Sequence, residues 1–229
     1  METNDTNSKF LPIAVVAAGL LIASAVVWNG SRPSTVPTGN GTATTVDIKN
    51  VKTDGAPFIG EANALVTIAV WSDFQCPFCK RWETETLPFI EEDYVATGKV
   101  KVVFLDFAFL GPDSMTAAEY NRAVWKLYPK TYATWRAAMY NAQDEEHGGF
   151  GDAASIDKLN ATVVGIDAAK VAADVKANAG AYQAAADADK AEAQKVGIGA
   201  TPSFIIGTQV IQGAYPYANF QAAIDAVLE

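Results

Sequence analysis

The stretch Leu65-Val66-Thr67-Ile68-Ala69-Val70-Trp71-Ser72-Asp73-Phe74-Gln75-Cys76-Pro77-Phe78-Cys79 decides how the rest of the chain is read. Its first seven residues are a dense β-branched and aromatic run, which predicts a buried strand. Ser72 to Gln75 predict a turn, and Cys76 to Tyr94 a helix, with Trp82, Leu87, Ile90 and Tyr94 at roughly helical spacing. Pro88 inside that span predicts a kink or a break. A Cys-x-x-Cys pair is therefore expected at the start of a helix, directly after a strand. A helix N-terminus carries partial positive charge and free backbone N–H groups, and both favour a thiolate. The two-residue spacer keeps the second sulfur within bonding reach of the first. This reading makes Cys76 the attacking thiol and Cys79 the one that resolves a mixed disulfide.

The composition leaves that pair free for chemistry. Of 229 residues, 50% are hydrophobic and 19% charged, which is a globular balance. The formal net charge of -9 repels phosphate backbones and argues against a nucleic-acid partner. Cys76 and Cys79 are the only cysteines, so cystine does not staple the fold. A zinc site would need two further ligands, and His147 is the only histidine. It lies in the polar stretch Glu145-Glu146-His147-Gly148-Gly149 and reads as an exposed loop residue. A purely structural disulfide would close too small a loop to stabilise much.

Working outward, Lys99 to Phe107 predicts a second strand, with Gly98 ending the helix before it. Residues 114 to 142 are rich in helix formers, and Pro129 divides them into two helices. Residues 143 to 153 form a polar, glycine-rich loop. Residues 154 to 195 are Ala-rich and predict two or three short helices, broken near Gly165 and Gly180. Ser203 to Ile206 and Gln209 to Ile211 flank a Gly207-Thr208 turn, and residues 217 to 228 form a closing helix. The order predicts an α/β fold with a helical insertion at about 114–195. Tyr128, Tyr132, Trp135 and Tyr140 fit helix packing better than a substrate groove.

Toward the N-terminus, Phe10 to Trp28 is apolar except for Ser24. Nineteen residues at helical rise span roughly 28 Å, close to a bilayer core. The run is read as a single transmembrane signal anchor at 10–28, after a cytoplasmic tail at 1–9. Ala23-Ser24-Ala25 keeps open the alternative of a cleaved signal peptide. Residues 29 to 46, rich in Gly, Ser, Thr, Pro and Asn, form a flexible linker to a domain at 47–229. Val46 to Val51 is either a short strand or the end of that linker.

Trp71 to Cys79 resembles the active-site segment of DsbA-like thioredoxin-fold proteins. Asp54-Gly55-Ala56-Pro57 and Gly60 resemble the approach to it in the membrane-anchored bacterial members. Gly199-Ala200-Thr201-Pro202-Ser203-Phe204 resembles the family's cis-proline loop, and the likeness covers roughly residues 54 to 228. The resemblance implies a thioredoxin fold with an inserted helical subdomain. It implies a cis Pro202 against the cysteines, and a Thr201 backbone exposed to an extended substrate chain. It further implies disulfide introduction into reduced, exported proteins outside the cytoplasm. The expected reoxidant is a DsbB- or VKOR-type membrane quinone reductase, and no bound cofactor is implied.

The sequence departs from the family in two places. Many relatives carry a buried acid six residues before the first cysteine, where this chain has Val70. Asp73 is nearer, in the turn, and Glu83 matches another acid of DsbA-type proteins but reads as an exposed helix residue. Pro77-Phe78 between the cysteines lacks the histidine of DsbA, which implies a milder oxidant. Two alternatives stay open. One is a disulfide reductase or isomerase using the same residues; the other is a non-catalytic thioredoxin-fold peptide-binding module.

Overall fold

The computed structural model describes residues 46–146 and 148–229. Its centre is a five-stranded sheet in the order β1-β3-β2-β4-β5. The strands are β1 (Phe58–Ile59), β2 (Val66–Ser72), β3 (Val100–Asp106), β4 (Ser203–Ile206) and β5 (Gln209–Gln212). β2 and β3 run parallel, with Val70 opposite Phe104, and the remaining neighbours are antiparallel. β2 is central and buried on both faces, as its unbroken apolar run requires. Ile68 and Val70 join Phe104, Phe204 and Ile206 in the larger core. Ala69 and Trp71 face the other way, onto Val103, Leu105, Ile205 and Ala193.

The connection from β2 to β3 holds α1 (Pro77–Glu85), α2 (Leu87–Ile90) and a π-helical turn at Glu91–Val95. The break expected from Pro88 falls two residues earlier, at Thr86, so that Pro88 sits in the first turn of α2. There its missing N–H costs no intrahelical bond. Between β3 and β4 lie α3 (Pro112–Leu127), α4 (Tyr132–Ala142), α5 (Ala153–Asn160) and α6 (Ala168–Lys195). α7 (Tyr217–Leu228) closes the chain, packing Phe220 and Ile224 into the larger core.

One expectation needs correction, and two short elements before β2 were not foreseen. α6 runs unbroken through Gly180 for 28 residues, because Ala, Lys, Glu and Gln around it outweigh one glycine. The Gly165 break is real, and Gly165 has a positive φ of 89°. Ile48–Asn50 is a short 3-10 turn rather than a strand, capped by the Asp47 carboxylate on the Lys49 N–H and joined to the sheet by an Ile48 N–H to Gly207 carbonyl bond of 2.8 Å. β1, two residues long, carries no periodicity that sequence reading detects, and it exists by pairing with β3. The expected membrane segment at 10–28 and the linker up to residue 45 lie outside the described residues, as does His147. Among the described residues no helix is long and apolar enough to cross a membrane.

Candidate active site

β2 ends at Ser72, and the chain turns through Asp73, Phe74 and Gln75 before α1 begins. The Asp73 side chain shapes that turn. Its Oδ1 accepts the Gln75 N–H at 2.8 Å, and its Oδ2 accepts the N–H groups of Phe109 at 3.0 Å and Leu110 at 3.2 Å. Burial raises the Asp73 pKa, against the pull of these N–H donors. A second clamp comes from α4's end, where Gln143 Nε2 donates to the carbonyls of Phe74 (2.6 Å) and Cys76 (3.2 Å). The turn before the cysteine motif is thus fixed from both sides.

Cys76 is the N-cap of α1, in an extended conformation, with Pro77 at the first helical position. Proline suits that position because its fixed φ is helical and it needs no hydrogen bond. Opposite lies the loop before β4, where the Thr201–Pro202 peptide is cis. The Thr201 carbonyl oxygen is 3.6 Å from Cys76 Sγ. Both cysteines are free thiols. The Cys76 thiol is brought down to about 6. The leading cause is the hydrogen bond from Cys79, helped by the Thr201 side chain and the N–H groups of Cys79 and Phe78, while burial opposes. Burial pushes Cys79 far the other way, and the neighbouring Cys76 adds to it. At neutral pH the pair therefore holds one thiolate, on Cys76, and one thiol, on Cys79. Phe78 points outward and is half exposed, with the Arg81 guanidinium 5.2 Å from its ring centre.

Glu83 contradicts its sequence reading. It is buried, not exposed, and pairs with Arg136 of α4 at 2.9 Å. Both side chains lie beneath the motif, with Arg136 also donating to Ser72 Oγ at 3.0 Å and lying 3.8 Å from the Phe104 ring centre. Burial raises Glu83 to about 7, although Arg136 pulls it down. The partner comes from 53 residues further along the chain. No local pattern in the sequence could expose it. Val70 is buried in the larger core and supplies no polar group. Tyr132, Trp135 and Tyr140 are likewise buried, stacking around Phe74 and Phe104, so they pack the subdomain onto the sheet.

On the open side of the motif a surface groove of about 440 Å³ is lined by Phe78, Arg81, Thr201, Gly213, Ala214 and Tyr215. It continues into a second depression of about 480 Å³ that reaches Phe89. Phe78, Phe89 and Tyr215 expose about half of their surface along it. Sequence reading missed this wall, because Tyr215 and Ala214 follow β5 and meet the motif only in the fold.

A thioredoxin family model matches residues 52–226. The chain belongs to the thioredoxin family. Within this family it is similar to disulfide bond formation protein D of Bacillus subtilis, at 26% identity over 76% of this chain and 78% of the relative. A probable disulfide bond formation protein D of Bacillus anthracis is 31% identical over 38% of this chain and 41% of its own length. The crystal structure of oxidised BdbD from Bacillus subtilis superposes with a TM-score of 0.71 at 25% identity, covering 78% of this chain and 95% of that one. The thiol-disulfide exchange protein α-DsbA2 of Wolbachia pipientis gives 0.65 at 26%, covering 75% and 87%. This thioredoxin-family chain is a DsbA-like thiol-disulfide oxidoreductase.

Proposed function

We propose that the protein introduces disulfides into reduced, exported proteins by exchange at Cys76 and Cys79. The observation that carries this reading is the split between the two sulfurs, with Cys76 down at about 6 and Cys79 pushed far up. A stabilised thiolate in the dithiol form makes the disulfide a better oxidant. In the oxidised protein a substrate thiolate attacks Cys76 Sγ. The Cys76–Cys79 bond breaks and a mixed disulfide forms at Cys76. A second substrate thiolate then attacks the substrate sulfur of that bond and expels the Cys76 thiolate. The substrate gains a disulfide, and the protein keeps two electrons as a dithiol.

Thr201 and Pro202 are assigned to holding the substrate. The Thr201 backbone beside Cys76 suits an extended chain, and the half-exposed Phe78 and Tyr215 suit apolar side chains of an unfolded protein. Asp73, Pro77 and Glu83 are assigned to tuning the pair. Reoxidation is assigned to a quinone-linked membrane protein of the DsbB or VKOR type, and the apolar run at 10–28 to a single-pass anchor that displays the domain outside the cell membrane. The relatives named for disulfide bond formation support oxidation over reduction or isomerisation. The test is oxidative refolding of a reduced, unfolded, cystine-containing protein. The wild type should speed recovery of its native disulfides, and Cys76→Ser should not. Equal recovery with Cys76→Ser would reject the assignment.

A further inference from the structure

The groove beside Cys76 holds a charge that the exchange itself does not use. Its walls include Phe78, Thr201, Gln212 and Tyr215, and Arg81 is the one ionised side chain among the described residues that line it. The groove opens at the reactive sulfur, because Thr201 lines it and the Thr201 carbonyl lies 3.6 Å from Cys76 Sγ. Arg81 is exposed, yet its guanidinium is held in place. Nη2 donates to the Ala214 carbonyl at 2.9 Å, and the group lies 5.2 Å from the Phe78 ring centre. A guanidinium has five N–H donors, so this one bond leaves most of the fork open. The buried Arg122 and Arg136 each pair with carboxylates, whereas among the described residues Arg81 pairs with none. Glu85, one turn further along α1, lines the neighbouring depression and not this groove. Lys80 is engaged elsewhere, its Nζ donating to the Gln143 carbonyl at 2.6 Å. The chain as a whole has a net charge of -9, so this lone cation at the reactive end of the groove runs against the general field.

We propose that Arg81 is a specificity residue that selects acidic substrate segments, those with Asp or Glu close to the cysteine that attacks Cys76, a reading that rests on exchange at Cys76 and Cys79. The open side of the guanidinium fork suits a carboxylate, which it takes through two parallel N–H bonds. The half-exposed rings of Phe78 and Tyr215 keep water from part of that pair, which concentrates the field of the cation. The spacing fits an extended chain. Arg81 follows Cys76 by five positions, roughly 7.5 Å along a helix. Two residues of extended chain span about 6.6 Å, and residues two apart face the same side. A carboxylate two residues from the attacking cysteine therefore meets Arg81 while the sulfur meets Cys76. The exchange is unchanged by this contact. The substrate thiolate attacks Cys76 Sγ, Cys79 leaves with the electron pair, and the carboxylate holds the chain in register.

The test is the rate at which the oxidised full-length protein oxidises dithiol peptides, followed by acid quench and mass spectrometry. The peptides share one sequence and carry Glu, Gln or Lys two residues to either side of each cysteine. Rates are divided by the concentration of peptide thiolate, which removes the effect of these charges on the peptide's own thiols. The wild type should oxidise the Glu peptide roughly 5-fold faster than the Gln peptide, the upper end for an exposed ion pair, and the Lys peptide slowest. Salt at about 1 M, where the screening length is about 3 Å, should bring the Glu to Gln ratio close to one. In Arg81→Gln the ratio should fall to one or below, since only the negative field of the chain remains. Arg81→Lys keeps the charge without the fork and should keep a smaller preference. Each ratio is taken within one protein, so an effect of the substitution on Cys76 itself cancels. A wild-type ratio of one or less, or a wild-type ratio that survives in Arg81→Gln, would overturn the proposal. Failure of the parent reading looks different, because the wild type would then oxidise none of the three peptides, and both would fall together.

Discussion

At the residue scale the site is an argument about where one negative charge rests. Cys76 sits where a helix start, the Thr201 side chain and the Cys79 thiol all favour a thiolate, and Cys79 sits where burial forbids one. Alkylation of the reduced protein at about pH 6 should therefore label Cys76 first and leave Cys79 intact. Equal labelling of the two would contradict the assignment. The Glu83–Arg136 pair makes a second prediction. Removing one partner leaves a buried charge alone, at a cost of roughly 3–5 kcal/mol, whereas replacing both with apolar groups is often near neutral. Urea unfolding of Glu83→Gln, Arg136→Met and the double variant should show this non-additivity, and simple addition would refute it. The pair also carries a pH signature. Glu83 titrates at about 7 when folded against an ordinary 4.5, so between those values the folded state holds the extra proton. Stability is then fullest below 4.5 and declines as pH rises through about 7. Asp189, raised from 3.8 to about 7 by burial and by Asp106, adds a slope of the same sign. The double variant should make the decline shallower without abolishing it.

At the element scale, the parts that were legible are those whose pattern is local. β2, β3, the β4–β5 pair and α7 each announce themselves by a run of β-branched residues, a turn or a helical period, and they fall within a residue or two of expectation. The cysteine motif at the start of α1 is equally local, as is the Thr-Pro step before β4. What was not legible depends on partners distant in the chain. β1 exists through β3, the burial of Glu83 through Arg136, and the groove wall through the segment after β5. Another such partnership ties β3 to the helical subdomain. Arg122 of α3 pairs with Asp106 at the end of β3 and with Asp189 of α6, and the Trp71 indole N–H donates to the Asp189 carbonyl at 3.0 Å. Gly180 was misread for a different reason, because a single helix breaker was weighed without the strong formers around it. Nothing lies within 4 Å of where its Cβ would be. Gly180→Ala should therefore stabilise the protein by roughly 0.5–1 kcal/mol, measured by thermal or urea unfolding. Destabilisation would mean that the glycine has a packing role.

At the scale of the whole molecule, a family sheet carries its reactive pair at one end of the central strand, and a subdomain of four helices supplies what lies behind that pair. Gln143 and Arg136, both of them from that subdomain or its edge, hold the turn and the buried carboxylate. The subdomain therefore reaches the back of the site as well as covering the sheet. Two features set how strongly the protein oxidises. Phe78 brings no charge to the motif, which weakens thiolate stabilisation relative to a histidine there. Val70 brings no buried acid, which spares the thiolate a negative neighbour. The first lies within the motif and outweighs the second. The most direct measurement is the reduction potential of the Cys76–Cys79 couple, obtained by equilibration with glutathione. The account predicts a value above that of thioredoxin, roughly −270 mV, and below that of DsbA, roughly −120 mV. A value at or below thioredoxin's would mark a reductant and contradict the central claim.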